Sequence, residues 1–282
     1  PDVVLFNGKV TTLDDKLPQV SAITIKDGLV LAIGSDDEII KSATTNTLKI
    51  DLKGKRVIPG LNDSHLHLIR GGLNYNLELR WDGISSLGHA MEMLKKQVLR
   101  TPPPQWVRVI GGWSEFQFVE KRMPTLEEIN AVSKDTPVFI LHLYDRALLN
   151  AAALRAVGYT KETPDPIGGR IERDKYGNPT GMLIAEPNAM ILYSTLAKGP
   201  KLKFEDQINS TRHFMRELNR LGLTSCIDAG GGFQNYPDDY QVIEELHKNG
   251  QLTIRIAYNL FTQHPGNELA DFQKWSKTVT PY

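Results

Sequence analysis

Between Pro1 and Arg56 apolar and polar positions alternate in short runs broken by tight turns. Val3 to Phe6 leads through Asn7-Gly8 into Lys9 to Leu13, and Ala22 to Lys26 leads through Asp27-Gly28 into Leu29 to Ile33. Asn-Gly and Asp-Gly at such junctions predict hairpins, because these residues tolerate the positive φ of a two-residue turn. Leu48 to Leu52 adds a strand, and a short helix is expected near Asp37 to Ser42. Residues 1–56 therefore predict a small β-sandwich segment with one buried face and no catalytic feature.

The pattern changes at Val57. Val57 to Leu68 reads as an apolar strand that Pro59-Gly60 introduces, and residues 57–74 are assigned to it as a first barrel strand. Beyond it, Ser86 to Arg100 sets Leu87, Met91, Leu94 and Val98 at helical spacing. Trp106 to Ile110 predicts a strand that runs into Gly111-Gly112-Trp113-Ser114-Glu115. Thr125-Leu126-Glu127-Glu128 is a capping box that opens a short helix. Val138 to Leu143 predicts a strand, Ala147 to Val157 a helix, and Ile171 to Arg173 with Met182 to Ala185 a hairpin. Residues 75–202 thus read as an α+β insert or lid.

Residues 203–282 return to alternation of helix and strand. Phe204 to Leu221 predicts a helix, Leu223 to Ile227 a strand, and Asp238 to Lys248 a helix. Leu252 to Leu260 then predicts a strand and Asn267 to Lys277 a last helix. Buried strands alternating with helices argue for an α/β fold with a parallel sheet and right-handed crossovers. A full (β/α)₈ barrel takes roughly 250 residues, and about three βα units are recognisable outside the insert. The fold expected is a partial TIM barrel, preceded by the β-sandwich segment.

Composition narrows the function classes. Hydrophobic residues make up 40% of the 282 and charged residues 23%, as in an ordinary globular protein. Lys+Arg and Asp+Glu balance at 33 each, and no block of like charge recommends nucleic acid or a membrane surface as partner. No segment reaches the roughly 18 apolar residues of a membrane span. A single cysteine, Cys226, allows no intrachain disulfide and sits in an apolar run. A cytoplasmic setting is the expectation, and the start at Pro1 leaves room for a removed signal peptide.

The chemistry centres on Asp63-Ser64-His65-Leu66-His67. In an extended segment the side chains at i and i+2 leave the same face, so His65 and His67 share one space. Two readings stand at this point: a two-histidine metal clamp, or two buried histidines each satisfied by a hydrogen bond. Asp228 ends a predicted strand before a glycine run, where barrel chemistry sits, or else fixes its own turn. Trp113 lines a substrate pocket or anchors packing. Glu186, after the strand Met182 to Ala185, faces the mouth as a metal ligand or substrate contact, or caps a helix. Asp145 contacts substrate or forms a local pair with Arg146.

Val57-Ile58-Pro59-Gly60-Leu61-Asn62-Asp63-Ser64-His65-Leu66-His67 resembles the strand-one signature of the amidohydrolase superfamily. Gly111-Gly112-Trp113, Asn150-Ala151-Ala152-Ala153-Leu154, Pro164-Asp165-Pro166, Gly168-Gly169-Arg170-Ile171 and Pro179-Thr180-Gly181 resemble the branch of N-substituted formamide deformylase and YtcJ-like hydrolases. The likeness covers essentially the whole chain. It implies a metal-dependent-hydrolase barrel that cleaves amide, formamide or cyclic amide C–N bonds with divalent metal, usually zinc. It implies metal ligation by His65 and His67, with Asp63 orienting an imidazole. The family's remaining ligands and its Asp base are expected beyond residue 282. Tyr144-Asp145-Arg146 departs from the Asp-Gly-His of many members, which puts a histidine-based substrate contact in doubt.

Two functions of different class follow. One is a metal-dependent amidohydrolase acting on a small molecule, present here as an N-terminal portion that is expected to be inactive alone. The other is a non-catalytic fragment or pseudoenzyme that serves as a binding module. The partner expected is a small-molecule substrate, together with a second copy of the chain or the remaining half of the barrel.

Overall fold

Asn7 and Asp27 take φ of 56° and 50° at the two tight turns of the N-terminal segment. In this computed structural model, which describes residues 1–231, 234–262 and 264–277, the two turns do different work. The first strands are β1 (Val3–Phe6), β2 (Lys9–Thr11), β3 (Gln19–Val20), β4 (Ala22–Lys26) and β5 (Leu29–Gly34). Helix α1 (Asp36–Ile40) follows, then β6 (Leu48–Asp51) and β7 (Arg56–Val57). Asp27-Gly28 joins an antiparallel hairpin, β4 to β5, with Lys26 opposite Leu29. The hairpin expected at Asn7-Gly8 does not form. β1 is taken on one edge by antiparallel β4 and on the other by parallel β6, so the turn passes the chain to a second sheet. The orders are β5-β4-β1-β6 and β3-β2-β7, and Val4, Ala22 and Ile39 are the buried apolar centre.

The chain divides into two units, Pro1–Asn62 with Gly222–Ser225 and Asp63–Leu221 with Cys226–Tyr282. Val57 to Leu68 is not one continuous strand. β8 spans Leu61–Leu66, and helix α2 (Leu68–Asn74) starts directly after His67. Next come β9 (Glu78–Leu79), α3 (Leu87–Arg100), β10 (Val107–Val109), α4 (Leu126–Val132), β11 (Val138–His142) and β12 (Arg146–Leu149). The chain continues with α5 (Ala151–Val157), β13 (Gly169–Arg173), β14 (Pro179–Ala185) and α6 (Met190–Leu196). The expected helix from Ala147 therefore begins at Ala151. Fully buried Asn150 caps it, accepting from the N–H groups of Ala153 and Val138 at 2.9 Å each.

These strands form one sheet of order β13-β14-β12-β11-β10-β9. β9, β10 and β11 are parallel neighbours, joined by the crossover helices α3 and α4; β12, β14 and β13 continue it antiparallel. Period-two alternation buries both faces. Val107, Val109, Val138, Ile140 and Leu148 pack with Leu87, Ala90 and Leu94 of α3 and Ile129 of α4. Phe139, Leu141, Ala147 and Leu149 pack with Ala153 and Val157 of α5 and with Ile191 and Leu192 of α6. Each of the valine, leucine, isoleucine and phenylalanine side chains contributes about 1.5–3 kcal/mol when fully buried. The segment expected as an α+β insert or lid contains this six-stranded sheet with helices on both faces.

The remaining elements are α7 (Phe204–Arg220), β15 (Leu223–Asp228), α8 (Gln241–Lys248), β16 (Arg255–Tyr258) and α9 (Glu268–Trp275). The third sheet has the order β16-β15-β8. Leu61 donates to Gly222 O and Ala229 donates to Leu66 O, so partners advance together and β8 runs parallel to β15. Gly60 precedes β8 where a Cβ would collide with the Thr224 side chain. α2 packs on α7 through Gly72, whose carbonyl accepts from Ser210 Oγ at 2.5 Å; a Cβ on Gly72 would meet Thr211 Oγ1 at 2.8 Å. No helix among the described residues is long and apolar enough to cross a membrane.

Candidate functional site

The strand β8 ends at Leu66, and His67 turns out of it with φ −109° and ψ 64° to become the N-cap residue of α2. The i, i+2 spacing still brings the two rings together, 5.4 Å apart and edge to face. His65 is exposed and His67 half-buried. His67 Nδ1 is buried without a hydrogen-bond partner. Burial, and then the charge of Arg70, push His67 below the ordinary imidazole range against a hydrogen bond to the Gly230 backbone and the Asp228 carboxylate. The neutral ring is the form that binds a cation.

Two carboxylates fix the backbone around this pair. Asp63 Oδ1 accepts from the His65 backbone N–H at 2.9 Å, so it holds the main chain of the strand where an imidazole contact was expected. Asp228 is fully buried at the end of β15. Its Oδ2 accepts from Ile69 N–H at 2.7 Å and its Oδ1 from Gly230 N–H at 2.8 Å. The first bond satisfies one of the free donors at the start of α2, and the negative charge suits that helix end. Asp228 thereby ties the glycine loop, β15 and the helix that begins at His67.

Other residues singled out from the sequence lie elsewhere. Trp113 is fully buried, edge-on to Trp81 at 4.9 Å, and donates Nε1–H to Leu141 O at 2.9 Å. It is a packing anchor, while its neighbours Gly111 and Gly112 reach the cavity wall. Asp145 belongs to a charged ring around His142. There Nδ1 lies 2.6 Å from Asp145 Oδ1 and Nε2 lies 2.6 Å from Glu115 Oε2, with Arg146 touching both carboxylates at 3.1 Å. Glu186 pairs with Arg170 at 2.8 Å on the exposed end of the β13–β14 hairpin.

A cavity of about 460 Å³ adjoins His67, within the size range of small-molecule sites. Its wall is largely apolar, with Leu66, Leu141, Tyr193 and Phe214 among the lining residues. It also carries Arg70, Glu78, Arg80 and Arg108, which sequence reasoning passed over. One signal was available for Arg108, a cation between two valines in a strand of three buried residues. Glu78 lies on a two-residue strand, too short for periodicity to reveal.

Metal capacity is partial. His65 and His67 offer two imidazole donors of the right chemistry, and the unpartnered Nδ1 of His67 is a donor atom with no other use. Among the described residues no group of three or more His, Cys, Asp or Glu side chains is arranged to hold an ion. A catalytic zinc site takes about three protein ligands, so the pair fits a metal as part of a larger donor set.

Comparison with known proteins agrees with this arrangement. The profile of the amidohydrolase family matches residues 49–282. The N-substituted formamide deformylase of Arthrobacter pascens is 27% identical over 282 residues, covering 99% of this chain and 50% of that protein. The putative amidohydrolase YtcJ of Bacillus subtilis is 32% identical over 192 residues, covering 67% of this chain and 36% of that protein. An uncharacterized metal-dependent hydrolase from Pyrococcus horikoshii has a similar fold, with TM-score 0.63 at 24% identity over 99% of this chain and 51% of that one. The chain spans about half, or less, of the length of these relatives. With residues 49–282 matched and the His65-Leu66-His67 strand in place, the chain belongs to the amidohydrolase family, in the branch of YtcJ and N-substituted formamide deformylase.

Proposed function

We propose that the protein hydrolyses carbon–nitrogen bonds of small amides, formamides or cyclic amides with the help of a divalent cation, zinc in the first instance. The observation that carries this reading is His67, whose buried and unpartnered Nδ1 belongs to a ring 5.4 Å from that of His65 beside a cavity of ligand size. Family membership and the resemblance to a formamide deformylase support the bond type. The sheet of β8, β15 and β16 is read as a segment of a TIM barrel, with the histidines at the C-terminal end of β8, where barrel enzymes keep their chemistry. His65 and His67 would hold the ion, which when bound supplies Lewis-acid polarisation of the scissile carbonyl. Asp63 and Asp228 fix the main chain on either side of these imidazoles. The apolar wall excludes water from the rest of the ligand, which strengthens polar contacts inside the cavity.

The test is metal content and hydrolysis of a panel of formamides, amides and cyclic amides by the full-length protein and by its His65→Ala/His67→Ala variant. Near-stoichiometric divalent metal and turnover in the parent, both reduced by more than about tenfold in a folded variant, are expected. A parent that binds no divalent metal, or a variant that keeps both metal and turnover, would refute the reading.

A further inference from the structure

Arg108 sits between Val107 and Val109 on β10. The two valines face the core of α3 and α4, so alternation sends the guanidinium to the opposite face, where it is 5% exposed and lines the cavity. Its Nη1 donates to Asn74 Oδ1 at 3.2 Å and its Nη2 to Pro200 O at 3.0 Å, while Nε is buried with no partner. A full positive charge is thus held by two neutral acceptors.

The acid nearest in register is shared with a second arginine. Glu78 lies opposite Arg108 across β9 and β10, but its Oε2 is 2.5 Å from Arg80 Nη2. Arg70 lines the same wall, and Lys201 pairs with Asp239 at 3.5 Å. Arg70 lies over the Tyr193 ring at 5.5 Å, and Glu78 is the acid among the described lining residues. A buried cation without a matched anion is costly, and burial pushes Arg108 below the usual guanidinium range against the pull of Glu78. The planar fork of arginine matches a carboxylate. Beside it, Leu141, Leu143, Leu196 and Tyr193 form an apolar wall.

We propose that this wall is an anion subsite built on Arg108 that receives the carboxylate of an organic acid, with the acid's apolar body against the leucines and Tyr193. The subsite rests on the hydrolase reading for the use of the ligand, a C–N substrate bearing a remote carboxylate, and not for the binding itself.

The test is calorimetric titration of the full-length protein, with metal chelated, using 3-phenylpropionate, its neutral primary amide and inorganic phosphate. The carboxylate is expected to bind at least about tenfold more tightly than the amide. It is also expected to weaken by about tenfold in Arg108→Met and to bind as well or better in Glu78→Gln. If circular dichroism shows that Arg108→Met does not fold, Arg108→Lys, which keeps the charge and loses the planar fork, takes its place, with a loss of at least about threefold expected. Equal binding of acid and amide, binding of phosphate alone, or undiminished binding in the folded arginine variant overturns the subsite. Discrimination for the carboxylate in a protein that hydrolyses none of the amide panel overturns the hydrolase reading and leaves the subsite standing.

Discussion

His142 holds Nε2 2.6 Å from Glu115 Oε2 while its other nitrogen lies 2.6 Å from Asp145 Oδ1. Both ring nitrogens are thereby engaged by carboxylate oxygens. Arg146 touches the same two acids, closing a ring of polar contacts at the end of β11. Trp113 lies edge-on to the imidazole at 5.2 Å.

This ring gives stability a pH dependence. Burial pushes Glu115 up, but its own backbone N–H, His142 and Arg146 outweigh burial and leave the carboxyl below the ordinary glutamate range. A carboxyl lowered by folding stabilises fully above its unfolded value and loses that contribution as pH falls through its folded value. Glu115→Gln is therefore expected to destabilise by roughly 2 kcal/mol at pH 7. The gap to the parent should close as pH falls below about 4. Urea unfolding of both proteins across that range measures it, and a gap that stays constant would mean that the Glu115 charge is not involved.

Asp228 ties the start of α2 to β15, so Asp228→Ala should cost about 1–2 kcal/mol through the freed Ile69 N–H and the lost charge at the helix end. On the reading above, the same change loosens His67, and the protein's affinity for zinc should fall with stability. Asp228→Asn, which keeps an acceptor oxygen, should recover most of the stability and part of the affinity. Denaturant melts beside competitive zinc titrations check this pair of outcomes. An alanine variant with parent-like zinc affinity would show that Asp228 does not position His67.

Cys226, 3% exposed on β15, is pushed up to about 11, by burial first and then by Asp228 and Asp63. The thiolate is the reactive form, so the folded protein should leave a disulfide reagent such as DTNB almost unreacted at pH 8. One equivalent should appear on denaturation, as absorbance at both stages would show. Rapid labelling of the folded protein would mean that β15 opens far more readily than its buried contacts imply.

Local chemistry was the legible part of this fold. The Asp27-Gly28 hairpin, the α3 stripe of Leu87 and Leu94, and the Thr125 to Glu128 capping box all form as the sequence predicts, because each depends on residues a few positions apart. Pairing partners were not legible. Nothing within Val3 to Phe6 says that β4 and β6 occupy its edges, which is why Asn7-Gly8 looked like a hairpin. The His65 and His67 pairing was readable from spacing, whereas the exit of His67 into α2 depends on a carboxylate 159 residues away from Ile69. Arg108 and Glu78 stand in register only because β9 and β10 align, a long-range fact that a strand of two residues cannot advertise.

Asn150 shows the same limit from the other side. It lies in a motif that resembled the deformylase branch, yet it is fully buried among backbone groups. Oδ1 accepts from Val138 N–H and Ala153 N–H, and Nδ2 donates to Ser133 O at 3.1 Å and Thr136 O at 3.0 Å. One side chain thereby caps α5, anchors the first residue of β11 and holds the turn before it. Asn150→Ala leaves these groups without partners away from water, at an expected cost of about 2–4 kcal/mol. Asn150→Asp keeps the accepting side and loses the two donated bonds, so it should fall between the parent and the alanine variant at neutral pH. Denaturant unfolding of the three proteins tests the order, and an alanine variant within about 0.5 kcal/mol of the parent would show that water replaces the side chain and that the motif serves something other than the fold.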